Sequence, residues 1–234
     1  MICEFAGICF EIEGILDSTK LFLKDFSSDK EPEETLRLSE ADFKRESEIS
    51  GCFDRKMLEI TALYRKISEI APMYGAFLMH AAVIEADNKG IAFTASSGTG
   101  KTTHMQNWIK AFKKRVRIVN GDKPLIRLES GKFFAYPTPW CGKEKLKGTD
   151  KCELSAVCFI KRAKENKTLK ISKKAALREL LNRIYIPQNE ELSNLTFSLL
   201  DKFLEKSEFY DIFCNTDENS AKCAYNSIFK EEKI

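Results

Sequence analysis

One short stretch constrains this chain more than any other: FTASSGTGKTTHMQNW, residues 93–108. A predicted strand over 91–94 runs directly into Ala95, and a helical pattern follows over 101–112. Between them stands the phosphate-binding (Walker A, P-loop) pattern G-x-x-x-x-G-K-[ST], complete except that Ala95 holds the first glycine position. Such a loop works by curling consecutive backbone N–H groups around an anion, at a helix N-terminus whose dipole favours negative charge. Gly98 and Gly100 supply the flexible backbone of the curl. Lys101 can reach the β- and γ-phosphates, and Thr102 can ligate Mg²⁺. Ser97, Thr99 and Thr103 complete the set expected around the phosphates. Ala95 falls at the strand exit, before the curl, where a negative φ accepts alanine. A glycine-rich turn that merely starts a helix is the plain alternative, and the strand–loop–helix context argues against it. A dinucleotide fingerprint would need glycine or alanine at 103, where Thr103 stands.

With 234 residues, 43% of them hydrophobic, the chain can bury one substantial core, with room for a small appendage. Charged residues make up 31%, yet the net charge is only +3, so nothing points to nucleic acid. The eight cysteines form no Cys-x-x-Cys pair, and with two histidines in the chain a zinc site is not indicated. No apolar run approaches a membrane span, and the start lacks a basic-then-apolar leader. The expectation is a cytoplasmic protein with free thiols.

Residues 1–52 read as a β-rich N-terminal segment, with short strands also expected near 15–16 and 21–23, and surface strands and loops over 27–50. The second unit, 53–234, opens on a helical stripe over 53–74, ended by Pro72 and Gly75. A buried strand over 76–84 follows, then the strand and loop already described. A strand over 116–119 ends at Asn120-Gly121, and a hairpin spans 124–136. Residues 143–151 are basic and expected to be mobile. A strong apolar strand runs over 154–160, and helices surround a short strand at 210–214. The mixture predicts an α/β fold with a mixed sheet.

A nucleotide loop needs partners before it implies a reaction: a metal ligand and a group to take the proton from an attacking hydroxyl. Asp122 lies just past the strand that follows the loop's helix, placed for Mg²⁺ or for base catalysis, although Asn120-Gly-Asp122 is also ordinary turn chemistry. His80 sits within the apolar run before the loop; alone, such a histidine is more often a satisfied core residue. His104, three positions after the loop lysine, is expected to face solvent.

Taken together, LMHAAV at 78–83, ASSGTGKTT at 95–103 and IVNGD at 118–122 resemble the C-terminal catalytic domain of HPr kinase/phosphorylase, whose fold is shared with phosphoenolpyruvate carboxykinase. The stretch YPTPWCGK at 136–143 looks closer still to stand-alone bacterial HPr kinase-like proteins, some of them associated with modifying small peptides. The resemblance covers about 53–225 and implies an ATP- and Mg²⁺-dependent kinase acting on a serine or other hydroxyl of a peptide, protein or metabolite. It would place Gly98, Thr99, Gly100 and Lys101 on phosphate, Thr102 and Asp122 on Mg²⁺, and His80 near the transferred group. The family strand ends in two aspartates; here Gly121 replaces the first. Asp122 must then serve alone, or another acid must help, Glu85 and Asp150 being the nearest candidates. The loop over 138–151 would close over the acceptor. The rival expectation is a nucleotide-binding module without phosphotransfer. An oligomer is possible, since the HPr enzyme is a hexamer.

Overall fold

The computed structural model describes residues 1–96 and 98–230. Strands β1 (Ile2–Phe5) and β2 (Ile8–Glu13) form an antiparallel hairpin. Its two turn residues, Ala6 and Gly7, are both left-handed (φ 54° and 72°), the twist that suits a two-residue hairpin loop. The chain then forms helix α1 (Asp17–Leu23), where the sequence suggested strands. Thr19 and Leu23 are its buried residues, four apart, and this helical spacing overrides the local β-propensity. Strand β3 (Glu34–Arg37) joins β2 in parallel.

Helix α2 (Glu40–Ser50) replaces the surface strands and loops expected over 27–50. Ser39 and Asp42 form a reciprocal capping box at its start, and Gly51 ends it in the left-handed conformation (φ 67°). Helix α3 (Arg55–Ile70) matches the predicted stripe and is capped by Asp54. It buries Leu63 and Ile67 against Phe5, Ile8, Phe10 and Trp140, so the N-terminal sheet and the loop near 140 share one apolar cluster with α3.

The run expected as one strand over 76–84 is two: β4 (Ala76–Leu78) and β5 (Ala82–Ala86). Then come β6 (Lys89–Thr94), α4 (Lys101–Phe112), β7 (Val116–Asn120), and the hairpin of β8 (Leu125–Glu129) and β9 (Lys132–Tyr136). The long strand β10 (Cys152–Arg162) is followed by β11 (Lys167–Lys170), α5 (Lys173–Leu180), α6 (Glu190–Lys206), β12 (Glu208–Cys214) and α7 (Asn219–Lys230). The nine strands from β4 onward form one mixed sheet in the order β4-β8-β9-β10-β6-β5-β7, with β12 also paired to β10 and β11 to β12.

Strand β10 is the hinge of this sheet. It starts antiparallel to β9, then runs parallel to β6 and β12. A register shift between Leu154 and Ala156 marks the change. One extra residue flips the alternation, so Leu154, Val157 and Phe159 face one cluster while Ala156, Cys158 and Ile160 face another. The first cluster is covered by α5 and α6 through Leu180, Leu200 and Phe203; the second by α4 and α7 through Trp108, Ala221 and Ala224. The result is the expected α/β class, a mixed sheet buried on both faces. All eight cysteines are free. Among the described residues, no helix is long and apolar enough to cross a membrane.

Candidate functional site

Strand β5 is antiparallel to both β6 and β7, and lies between them. The sequence predicts the end of β7 beside the phosphate loop in a parallel sheet. The two strands do point the same way, but β5 separates them. Its own start therefore lies at the ends of β6 and β7, and His80 stands just before that start. The break between β4 and β5 makes this possible, because Met79, His80 and Ala81 leave the regular ladder and find other partners. His80 N–H donates to Arg183 O at 2.6 Å, Thr94 Oγ1 donates to His80 O at 2.9 Å, and Ala81 N–H donates to Asp122 O at 2.8 Å.

Three segments thus bring their chemistry to one place. Lys101 Nζ lies 3.0 Å from His80 Nε2, and the same nitrogen lies 3.0 Å from Asp122 Oδ1. Nε2 serves one neighbour at a time, donating to Asp122 or accepting from Lys101. Burial works to raise the Asp122 pKa, but the His80 hydrogen bond, the His80 charge, and then Lys123 and Lys101 outweigh it. Its carboxyl is held below the usual range and stays ionised at neutral pH. Burial pushes the Lys101 ammonium down, against the pull of Asp122 and with the added positive charge of Arg183 and Lys123.

The turn that carries Asp122 is built by Asn120, which is fully buried. Its Oδ1 accepts from the N–H groups of Asp122 and Lys123, both at 2.9 Å, and its Nδ2 donates to Thr138 O at 3.0 Å. The turn chemistry seen in the sequence is real, and it fixes where the carboxylate stands.

In the phosphate loop, Gly98 and Gly100 adopt φ of 74° and 121°, conformations that favour glycine. Ala95 is absent from the left-handed residues and its methyl packs with Phe93 and Met105 in the core under α4. Ser97 lies outside the described residues. The loop faces a cleft of about 700 Å³ whose walls include Tyr64, His80, Gly98, Gly100, Lys101, Thr102, Thr103, Asp122, Lys123 and Glu144. Thr99 is not on this wall; its carbonyl accepts from Arg162 Nε at 3.3 Å, and Arg162 also donates to Gly98 O.

Position 121 has no room for a side chain. A β-carbon there would lie 2.5 Å from Cys141 O and 2.9 Å from Leu146 O. The loop over 138–148 occupies that space, tied down where Gly148 N–H donates to Val119 O at 3.0 Å and where Lys147 bridges Asn120. The same loop carries Glu144 into the cleft. A β-carbon built on Gly142 would be 3.4 Å from Asp122 Cβ and 3.6 Å from Glu144 Oε2, so Glu144 Oε2 lies no more than 7.0 Å from Asp122 Cβ.

The two acids suggested by the sequence are elsewhere. Glu85 is ion-paired with Arg117 near the far end of β5, and Asp150 accepts from Thr149 Oγ1 at 2.8 Å; neither lines the cleft. His104 does not face solvent either. It is 2% exposed; its Nε2 accepts from Trp108 Nε1 at 3.1 Å, which leaves Nδ1 to donate to Ser220 Oγ at 3.3 Å. Sequence reasoning also missed Arg183, whose Nη2 donates to Ser96 Oγ at 3.1 Å. It stands beside the start of the loop, outside the walls of the cleft, and no local pattern signals it because it arrives there through tertiary pairing.

The model of the family described as "ScmC: SynChlorMet cassette protein ScmC" matches residues 48–193, more than half of the chain. The chain belongs to the ScmC family. The matched part of this ScmC chain takes in α3, the phosphate loop, His80, Asp122, Glu144 and Arg183. Among solved structures the chain is similar to the HPr(Ser) kinase/phosphatase from Coxiella burnetii, at 10% identity and a TM-score of 0.38, over 66% of this chain and 98% of that one. No curated protein sequence matches the chain.

Proposed function

We propose that this chain is an ATP- and Mg²⁺-dependent phosphotransferase acting on a hydroxyl of a peptide, protein or metabolite. The observation that carries the reading is the meeting of Lys101, His80 and Asp122 within hydrogen-bond distance at the mouth of a phosphate-binding loop. A loop that only held a nucleotide would need no histidine–carboxylate pair beside its lysine.

The donor set suits magnesium. The Thr102 hydroxyl and the Asp122 carboxylate are hard oxygen donors on one cleft, with the Glu144 carboxylate on the same wall left for the acceptor. Among the described residues no cluster of three or more His, Cys, Asp or Glu forms a metal cage. Mg²⁺ in phosphoryl-transfer sites is held by one or two carboxylates together with substrate phosphates. Bound there, Mg²⁺ would neutralise charge on the phosphates. Lys101 binds the phosphate chain and draws off negative charge from the leaving group. Asp122, kept ionised and oriented by His80 and by the Asn120 turn, serves as the metal-side carboxylate. Glu144 faces it from the loop and accepts the proton of the attacking hydroxyl as its oxygen bonds to phosphorus and the β–γ bridge breaks. Glu144 thereby fills the role that the side chain missing at 121 would have held.

Calorimetric titration with Mg²⁺ and a non-hydrolysable ATP analogue tests the first half. Lys101→Ala should weaken binding by about 100-fold or more, through the loss of a charge-assisted contact to phosphate; unchanged affinity would sink the loop assignment. Labelled ATP tests the second half, with serine- and threonine-containing peptides and free hydroxyl amino acids as first acceptors. Asp122→Asn and Glu144→Gln should keep analogue binding within a few-fold and lower transfer by roughly 100-fold or more. Binding by the wild type with no transfer to any acceptor would favour a nucleotide-binding module, the reading that Gly121 left open.

A further inference from the structure

Arg183 comes to the site from the segment between α5 and α6. Its carbonyl accepts from His80 N–H at 2.6 Å, Tyr185 N–H donates to Leu78 O at 2.9 Å, and Met79 bridges Ile184. Residues 183–185 therefore run beside the break between β4 and β5 and fix the arginine's backbone against His80. From there the guanidinium reaches the start of the phosphate loop, where Nη2 donates to Ser96 Oγ at 3.1 Å. Its Nε is buried and has no hydrogen-bond partner. A buried guanidinium N–H without a partner is costly, and such groups call for an explanation. The charge around it is mixed: Lys101 is drawn by Asp122 and opposed by Arg183 and Lys123, and Asp122 is already engaged by His80.

Arg162 makes an instructive contrast. It flanks the loop at Gly98 and Thr99, and two of its nitrogens are spent on their carbonyls. Arg162 braces the loop's outer side. Arg183 stands at the His80 side, next to the ammonium that reaches the β- and γ-phosphates in loops of this type. A planar fork with a free N–H, beside a lysine and engaged among the described side chains only by the Ser96 hydroxyl, is suited to phosphate oxygens.

We propose that Arg183 binds the terminal phosphoryl group of the nucleotide and makes the cleft select a triphosphate over a diphosphate. The inference rests on the nucleotide-binding role of the Lys101 loop. The test is calorimetry on the full chain with Mg²⁺ and either ADP or the non-hydrolysable analogue AMP-PNP. Arg183→Ala should weaken AMP-PNP by about 10–100-fold, the worth of one or two charge-assisted hydrogen bonds, and change ADP by less than about 3-fold. Arg183→Lys should fall between, because a point charge keeps attraction but loses the fork. Should the alanine variant melt early, Arg183→Gln removes the charge while keeping a donor for Ser96, and the same selective loss is expected. Equal loss for both nucleotides, or loss for neither, overturns the role of Arg183. A wild type that binds both alike also overturns it, while leaving the proposed function standing. A wild type that binds neither overturns both.

Discussion

At position 121 the backbone carbonyls of Cys141 and Leu146 come so close that only hydrogen fits on the α-carbon. Gly142, at φ 85°, lies next to Asp122 Cβ on the other side of the same contact. These two residues let the loop over 138–148 close against the β7 turn and bring Glu144 to the cleft. The absent carboxylate is therefore the price of a tighter loop. Gly121→Ala should cost about 1–3 kcal/mol, as expected for forcing an extra carbon into a packed site, read as a lower urea midpoint. Gly121→Asp should lose stability by at least as much and gain no transfer activity. If that variant instead gains transfer, the loop yields easily and Glu144 is not the second carboxylate. The departure at 121 was visible in the sequence, but its consequence was not, because the atoms that exclude a side chain come from residues 20 and 25 positions later.

At the scale of elements, what was legible followed from apolar period. The stripe of α3, the hairpin of β8 and β9 and the strand–loop–helix at Lys101 all declare themselves through spacing. Helix α2 does not, because its buried face includes charges. Asp42 and Glu46 point inward to Arg65 of α3, at 2.6 Å each, and Glu69 adds a weaker contact at 3.3 Å. A pattern that counts apolar residues reads such a face as surface. The break between β4 and β5 was hidden for the opposite reason: apart from His80 the residues on both sides and within it are apolar, and the turn is set by the partners of Met79 and His80. Replacing Arg65 by Met would leave Asp42 and Glu46 buried without their main partner. The expected loss is about 3–5 kcal/mol in urea denaturation, since removing one member of a buried ion pair leaves an uncompensated charge. A loss under about 1 kcal/mol would mean that water reaches these carboxylates once the arginine is gone, and that the α2–α3 contact rests on Phe43 and its neighbours instead.

For the whole molecule, the site is a product of strand order. The strand, glycine-rich loop and helix that carry Lys101 were legible in the sequence, and Asp122 could be suspected, but their convergence with His80 depends on β5 lying antiparallel between β6 and β7. The loop's helix is in turn anchored to the far end of the chain, since α4 meets α7 through His104, Asn107 and Trp108. That anchor makes global stability sensitive to acid. Burial pushes the His104 imidazole down to about 4, whereas an exposed histidine titrates near 6.5. Between these values the unfolded chain binds the proton and the folded chain does not, so stability is complete above about pH 6.5 and falls as pH drops toward 4. The full effect is on the order of 3 kcal/mol. Carboxylates such as Asp42, held at about 2, lose their contribution only at lower pH, because their stabilisation is present above the ordinary carboxylate range and disappears through the depressed value. Urea midpoints measured from pH 7 to 4.5 should therefore decline in the wild type, with much of the slope removed in His104→Gln. Glutamine can still accept from Trp108 and donate to Ser220 but takes up no proton. A variant that keeps the wild-type slope would place the acid sensitivity elsewhere in the fold. If His104 is responsible, protonation loosens α4, and nucleotide affinity should weaken over the same pH interval in the wild type but not in the glutamine variant.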